Sequence, residues 1–367
     1  MAGLLSPRSR GPSPKRPALS GSASFDPSGA IDPADTHPVL QAGRVAVITG
    51  AASGIGAAAA RAFARLGLRV ALADLPSTLP ALTSLGEELT AVVGEGNILV
   101  VPTDVSVLSD VERLREKVYE AWSEVGVLMN NAGIGGLDGV NGTSWDGLDA
   151  WHAVFNVNLF GVVNVQQVFV PAMLHQENPA MVINTGSKQG ITNPPGNTAY
   201  NASKAAVKSL TEGLAHALRE RNGGHGGWGV ADSRLGVPVA EQGGGPSCEG
   251  YGGAAMGSGS VPQWERPGYT YTGLTGAKSG NEKPAGAWTA DETVAHMLSC
   301  VAKGDFYVLC PDGETRPEID QLRVMWAAAD VAQGRPALSR WHRDYKALFE
   351  EYMREGQALA QDGASML

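Results

Sequence analysis

The sequence is poor in cysteine, in charge and in long apolar runs. Its three cysteines (Cys248, Cys300, Cys310) form no paired framework and no C-x-x-C. That excludes a disulfide scaffold and points to free thiols in reducing surroundings, hence a cytoplasmic setting. The seven histidines show no H-E-x-x-H or other ligand spacing, so no metal site is expected. Charged residues are 18% of the chain and the net charge is −9. A surface that tracks phosphates needs a basic face, so no nucleic-acid partner is expected. No run of about 18 apolar residues is read, so no membrane span is expected. What remains is a chain of 367 residues, 43% hydrophobic, long enough to bury a sizeable core.

Residues 1–42 stand apart. "MAGLLSPRSRGPSPKRPALSGSAS" is rich in Pro, Ser and basic residues, with no acid before Asp26. A disordered tail is the expectation. A mitochondrial presequence is the alternative, disfavoured because four prolines in the first seventeen residues oppose an amphipathic helix.

From Arg44 onward, short β-rich runs alternate with helical patterns. "RVAVIT" (44–49), "RVALAD" (69–74), "NILVVPTD" (97–104), "VGVLMN" (125–130) and "AMVINT" (180–185) read as buried strands. A helix opens at Ile55 with Ile55, Ala59, Phe63 and Leu66 on one face and Gly67 as its stop; further helices lie near 107–122 and 147–176. Nearly continuous apolar strands separated by helices predict an α/β fold: a doubly wound parallel sheet with helices on both faces. Ligands in such folds bind at the carboxyl ends of the strands.

Those ends carry the candidate residues. After the first strand comes "TGAASGIG", with Gly50, Gly54 and Gly56 in G-x-x-x-G-x-G spacing and Ser53 and Ile55 among them. Small residues there let the backbone approach a pyrophosphate, and the opening helix presents N–H groups. Asp74 ends the second strand; a carboxylate there can accept ribose hydroxyls and repels a 2′-phosphate, favouring NAD over NADP. Asp104, followed by Val105, ends the third strand, and Asn131-Ala132-Gly133 the fourth. Further on, Tyr200 and Lys204 lie four apart in a helical stretch and share a face. A nearby ammonium stabilises phenolate, which makes Tyr200 a usable general acid/base. Of the eight tyrosines it alone has Lys at +4, and it follows the strand-end Ser187 by 13 residues.

In this order, "TGAASGIG", "NNAG" (130–133), "VNLFG" (157–161), Ser187, "YNASK" (200–204) and "PGYTYT" (267–272) resemble the motif set of the short-chain dehydrogenase/reductase family. The resemblance implies a Rossmann-like fold and an NAD(P)-dependent oxidoreductase acting on a secondary alcohol or ketone, with NAD favoured. It assigns a catalytic tetrad: Tyr200 exchanges the proton, Lys204 lowers its pKa and holds the nicotinamide ribose, and Ser187 binds the substrate oxygen. Asn158 completes it by ordering a relay water. Gly268 and Thr272 match the segment that holds the carboxamide. A homodimer or homotetramer is also implied.

The pattern breaks after the Tyr200 helix. From Asn222 to Glu265 there are 14 glycines in 44 residues, and the family's sixth strand has no good counterpart before Pro267. "LGVPVA" (235–240) is the best apolar run, but Pro238 sits in its middle. Three accounts compete for this irregular segment (222–266). It is a genuine insertion with its strand somewhere in 227–240, a wrongly spliced stretch, or the mark of an inactive member that still binds NAD. A seventh strand is expected at "DFYVLCP" (305–311). The catalytic domain is taken as 43–312, and 313–367 reads as a helical extension whose Trp326, Trp341, Phe349 and Tyr352 pack on the domain or on a second subunit.

Overall fold

The computed structural model describes residues 37–136, 145, 147–221, 270–272, 283, 286–310 and 317–361. Five strands pair in parallel: β1 (Val45–Thr49), β2 (Arg69–Asp74), β3 (Ile98–Pro102), β4 (Val127–Asn130) and β5 (Met181–Asn184). Their order is β3-β2-β1-β4-β5. The chain starts in the middle, runs outward to β3, then returns to β4 on the other side of β1. That reversal opens a crevice at the carboxyl ends of β1 and β4, where a loop leaves to each side.

The strands are apolar except at their ends, because both faces are covered. Ala46 and Ile48 point to one layer, with α1 (Gly54–Arg65), α2 (Leu79–Val93) and, later in the chain, Ala290–Lys303; Phe63, Leu72, Leu82 and Met297 are buried there. Val45 and Val47 point to the other, where Val111, Leu114 and Val118 of α3 (Leu108–Trp122) meet Val165 and Phe169. Full burial of one such Leu or Phe side chain contributes about 1.5–3 kcal/mol. Gly67 ends the first helix at φ 81°, a conformation that favours glycine, as its position after the last apolar residue predicts. Helix α2 had no counterpart in the expected helices. Its leucines at 82, 85 and 89 face the core, while "LPAL" at its start reads as a breaker although Pro80 occupies the first turn, where its missing N–H costs nothing.

The helix expected over 147–176 divides into α4 (Asp149–Phe155), one π turn (Asn156–Phe160) and α5 (Gly161–Met173). By length and composition Asp149–Met173 would suffice to cross a bilayer, although polar residues interrupt it. Its α5 part packs on the sheet through Val165, Phe169 and Met173, while Val154 of α4 is buried with Ala199 and Tyr200. After β5 come the single turn α6 (Gln189–Thr192) and the long α7 (Thr198–Arg221). A two-residue parallel pair, β6 (Thr270–Tyr271) with β7 (Trp288–Thr289), precedes α8 (Ala290–Lys303). That helix begins with a capping box between Thr289 and Glu292.

The candidate sixth strand at 227–240 lies outside the described residues. The seventh, expected at 305–311, is corrected: 305–310 form no strand, although Val308 and Cys310 are buried in the core. An apolar run becomes a strand only beside another ladder, and no described strand lies next to this one. Instead the Tyr307 hydroxyl donates to Glu212 of α7, and burial pushes the Cys300 thiol up to about 11, far from a reactive thiolate. The C-terminal part is helical: α9 (Pro317–Ala332) and α10 (Lys346–Gln361). Trp326 is their centre, 5.2 Å from Phe349 and 5.1 Å from Tyr352, with the Arg335 guanidinium 3.9 Å above its ring.

Candidate active site

The turn between β1 and α1 is built for close approach. A Cβ on Gly50 would lie 2.8 Å from Ala132 Cα, and one on Gly56 only 2.1 Å from Gly50 O. Gly54, at φ 55°, faces Thr272: its Cβ would stand 3.2 Å from the Thr272 Cβ. Two sequence motifs 218 positions apart therefore meet at the start of α1; Gly268 lies outside the described residues. Ser53 precedes α1 in extended conformation without a side-chain cap, and the first turn, opening at Gly54 and Ile55, holds no acidic residue. No acidic side chain within that first turn meets its N–H groups and positive dipole end, which suits a pyrophosphate.

Asp74, at the end of β2, leans over this turn. Its Oδ2 accepts from the Ala52 N–H (2.9 Å) and its Oδ1 from the Leu75 N–H (2.7 Å). The carboxylate is thereby oriented, with acceptor capacity left on each oxygen. Asp104 is more local: its Oδ1 accepts from the Ser106 N–H and hydroxyl (2.9 and 2.7 Å), the bonds of a turn former. Val105 beside it is buried against Gly161, where a Cβ would come within 2.6 Å of its Cγ2.

Asn131 binds the strand ends together. Its N–H donates to Thr49 Oγ1 (3.0 Å), and its Nδ2 donates to the Thr49 and Gly50 carbonyls (3.1 and 3.2 Å). Its Oδ1 accepts from the Thr185 hydroxyl (3.2 Å), and the Ala132 N–H also reaches Thr49 Oγ1 (3.1 Å). Thr49 and Thr185 were not among the expected site residues. Threonine in a strand is ordinary, and no sequence signal separates these two from the rest.

The four residues that the family resemblance assigns to catalysis come from the π turn, the segment after β5 and α7. Asn158 sits in the π turn, fully buried, its Oδ1 accepting from the Ile134 N–H (2.8 Å) and its Nδ2 donating to Ile134 O (2.9 Å) and Ser203 Oγ (3.1 Å). A π turn is rare and often sits at functional positions; here it carries Asn158 inward to the β4 end. Lys204, also buried, donates from Nζ to the Thr185 carbonyl (2.9 Å) and lies 5.7 Å from the centre of the Tyr200 ring. Asn158 Oδ1 and Lys204 Nζ converge on Gly133: a Cβ there would lie 3.3 and 3.5 Å from them. Tyr200 is buried with Val154 and Ala199, beside Trp151 and Phe155. Ser187, buried at the end of β5, accepts at Oγ from the Gln189 N–H (3.2 Å). A Cβ on Gly190 would be 2.6 Å from the Lys204 carbonyl carbon, so α6 is pressed onto α7 at Lys204.

Burial pushes the Lys204 ammonium down to about 8 from its ordinary 10.5. The unfolded chain keeps this proton up to about 10.5 and the folded chain releases it near 8. The unfolded state therefore binds more protons between those values, and stability rises with pH across that window. Urea denaturation of wild type and Lys204→Met should show the wild type gaining on the variant from pH 8 to about 10. A pH-independent difference would remove burial of this cation as the cause.

The sequence model of the short chain dehydrogenase family matches residues 44–222. A 3-oxoacyl-[acyl-carrier-protein] reductase of Thermotoga maritima is 38% identical over 186 residues, covering 49% of this chain and 70% of that protein. A 1-deoxy-11-beta-hydroxypentalenate dehydrogenase of Streptomyces exfoliatus is 37% identical over 177 residues, 48% of this chain and 62% of that one. Among solved structures, a short chain dehydrogenase/reductase from Burkholderia phymatum in complex with NAD superposes with a TM-score of 0.59 at 32% identity. That superposition covers 80% of this chain and 96% of the other. The fold and the matched segment define an oxidoreductase with a nucleotide-binding parallel sheet. The chain belongs to the short-chain dehydrogenase/reductase family.

Proposed function

We propose that the chain is an NAD-dependent oxidoreductase interconverting a secondary alcohol and its ketone, with Tyr200 as general acid/base. The observation that carries this reading is the buried Tyr200–Lys204 pair, converging with Asn158 on Gly133 beside the glycine turn. The nicotinamide cofactor, when bound, supplies the hydride acceptor or donor. Gly50, Ser53, Gly54, Ile55 and Gly56 would hold its pyrophosphate, Asp74 a ribose, Asp104 and Val105 the adenine side, and Asn131, Ala132, Gly133 and Thr272 the nicotinamide side.

The chain's own residues do the proton chemistry. In the oxidising direction the Tyr200 phenolate takes the hydroxyl proton of the substrate; in reduction the Tyr200 phenol returns a proton to the carbonyl oxygen. The Lys204 ammonium stabilises the phenolate, and Ser187 steadies the substrate oxygen as charge develops on it. Asn158, whose Oδ1 stands with Lys204 Nζ around Gly133, would order the water of a relay from Lys204.

The NAD bound by the Burkholderia phymatum relative and the Asp74 carboxylate support NAD over NADP. Steady-state rates of the full chain on a panel of secondary alcohols test this. NAD should support turnover with kcat/KM at least about tenfold above NADP, and Asp74→Ser should shrink that ratio by about tenfold or more, each factor being about 1.4 kcal/mol. A wild-type preference for NADP, or no turnover across the panel, would overturn the reading.

A further inference from the structure

The residue after Ser187 is tied to the C-terminal extension. Lys188 Nζ donates to Asp320 Oδ2 of α9 at 2.5 Å, with both side chains buried. Asp320 Oδ1 also accepts from Arg323 (3.2 Å), so one carboxylate lies between two buried cations. Removing such groups from water is expensive, and a buried ion pair is weak evidence of added stability. Its value lies in direction, since charged hydrogen-bonded groups tolerate little displacement.

The segment that gains direction is α6. It is one turn of four residues, too short to hold itself. Ser187 accepts at Oγ from the Gln189 N–H and at its carbonyl from the Gly190 N–H (2.9 Å), so its hydroxyl follows the orientation of this turn. On one side α6 rests on α7 through Gly190; on the other, α9 holds it through Lys188.

We infer that Asp320 is a positioning residue: through Lys188 the C-terminal extension sets the Ser187 turn, and the active site is incomplete without α9. This rests on the proposed role of Ser187 and adds to it a dependence on a helix more than a hundred positions away.

Hydrogen exchange and kinetics on the full chain test it, using Asp320→Asn, Asp320→Glu and the pair Lys188→Met/Asp320→Asn. In Asp320→Asn, amides of 186–192 should exchange about tenfold faster or more, while those of β1–β5 and the NADH affinity by fluorescence titration stay unchanged. With the alcohol that turns over, kcat should fall about tenfold or more at constant KM for NAD. Asp320→Glu should recover most of both. The double variant leaves neither Lys188 nor residue 320 charged, keeps an amide oxygen at 320 for the buried Arg323, and decides the matter if the single variant does not fold. Folded and binding NADH, it should still show low kcat and fast exchange over 186–192. Wild-type kcat or wild-type exchange there in the double variant would overturn the inference, as would loss of protection spread evenly over the sheet in Asp320→Asn. A wild-type chain inactive on every alcohol would sink the proposed function, while the exchange result would still decide the tether.

Discussion

Tyr200→Phe is expected to lower kcat/KM by about 10²–10⁴-fold, the usual worth of a positioned acid/base. The change removes one hydroxyl and keeps the ring, which is buried with Val154 and Ala199 and lies 5.7 Å from Lys204 Nζ. The packing survives, so thermal stability and NADH affinity should match wild type. Steady-state kinetics with the responsive alcohol, beside an NADH fluorescence titration, checks both halves. Retained turnover would remove Tyr200 from the reaction, and lost NADH binding would mean that the ring, not the hydroxyl, was at stake.

Gly56→Ala is expected to abolish cofactor binding and to lower Tm by several degrees. The new methyl would stand 2.1 Å from the Gly50 carbonyl oxygen, 2.8 Å from the Gly50 carbonyl carbon and 2.7 Å from Asn131 Nδ2. Two of these are backbone atoms, which cannot swing aside as a side-chain tip can. Overpacking typically costs about 1–3 kcal/mol, and relief here has to move Gly50, the residue against which Ala132 is closely set. The fold should persist, since the sheet below is untouched, but the crevice would widen where a pyrophosphate must lie against the backbone. Circular dichroism melts and NADH titration give the two readouts. A variant binding NADH like wild type would show that this turn does not receive the cofactor.

Much of the architecture is legible in the residues because it follows local rules. Each of the five strands of the main sheet coincides within a few residues with an apolar run read from the sequence, and Gly67 stops its helix where expected. The glycine turn, Asn131 and the Tyr200–Lys204 face are legible for the same reason: spacing within one turn or one helix fixes them. What stayed hidden depends on contacts between distant segments. The π turn over Asn156–Phe160 looks like plain helix until Asn158 is seen bonded to the Ile134 backbone. "DFYVLCP" has strand composition, yet a strand needs a neighbour, and composition does not supply one. Lys188 reads as a polar residue after a serine, and Asp320 as an ordinary acid in a helix. Their pairing across 132 positions has no periodicity to announce it.

The Asn131 junction has a thermodynamic consequence. Its side chain and N–H link β1 to β4, and its Oδ1 takes the Thr185 hydroxyl just beyond β5, so the strand ends around the crevice are cross-braced by the chain alone. The loss of freedom that a flexible mouth would suffer on capturing a dinucleotide is already incurred when the protein folds. Little is left for the ligand to organise on this side, and more of its contact energy emerges as affinity.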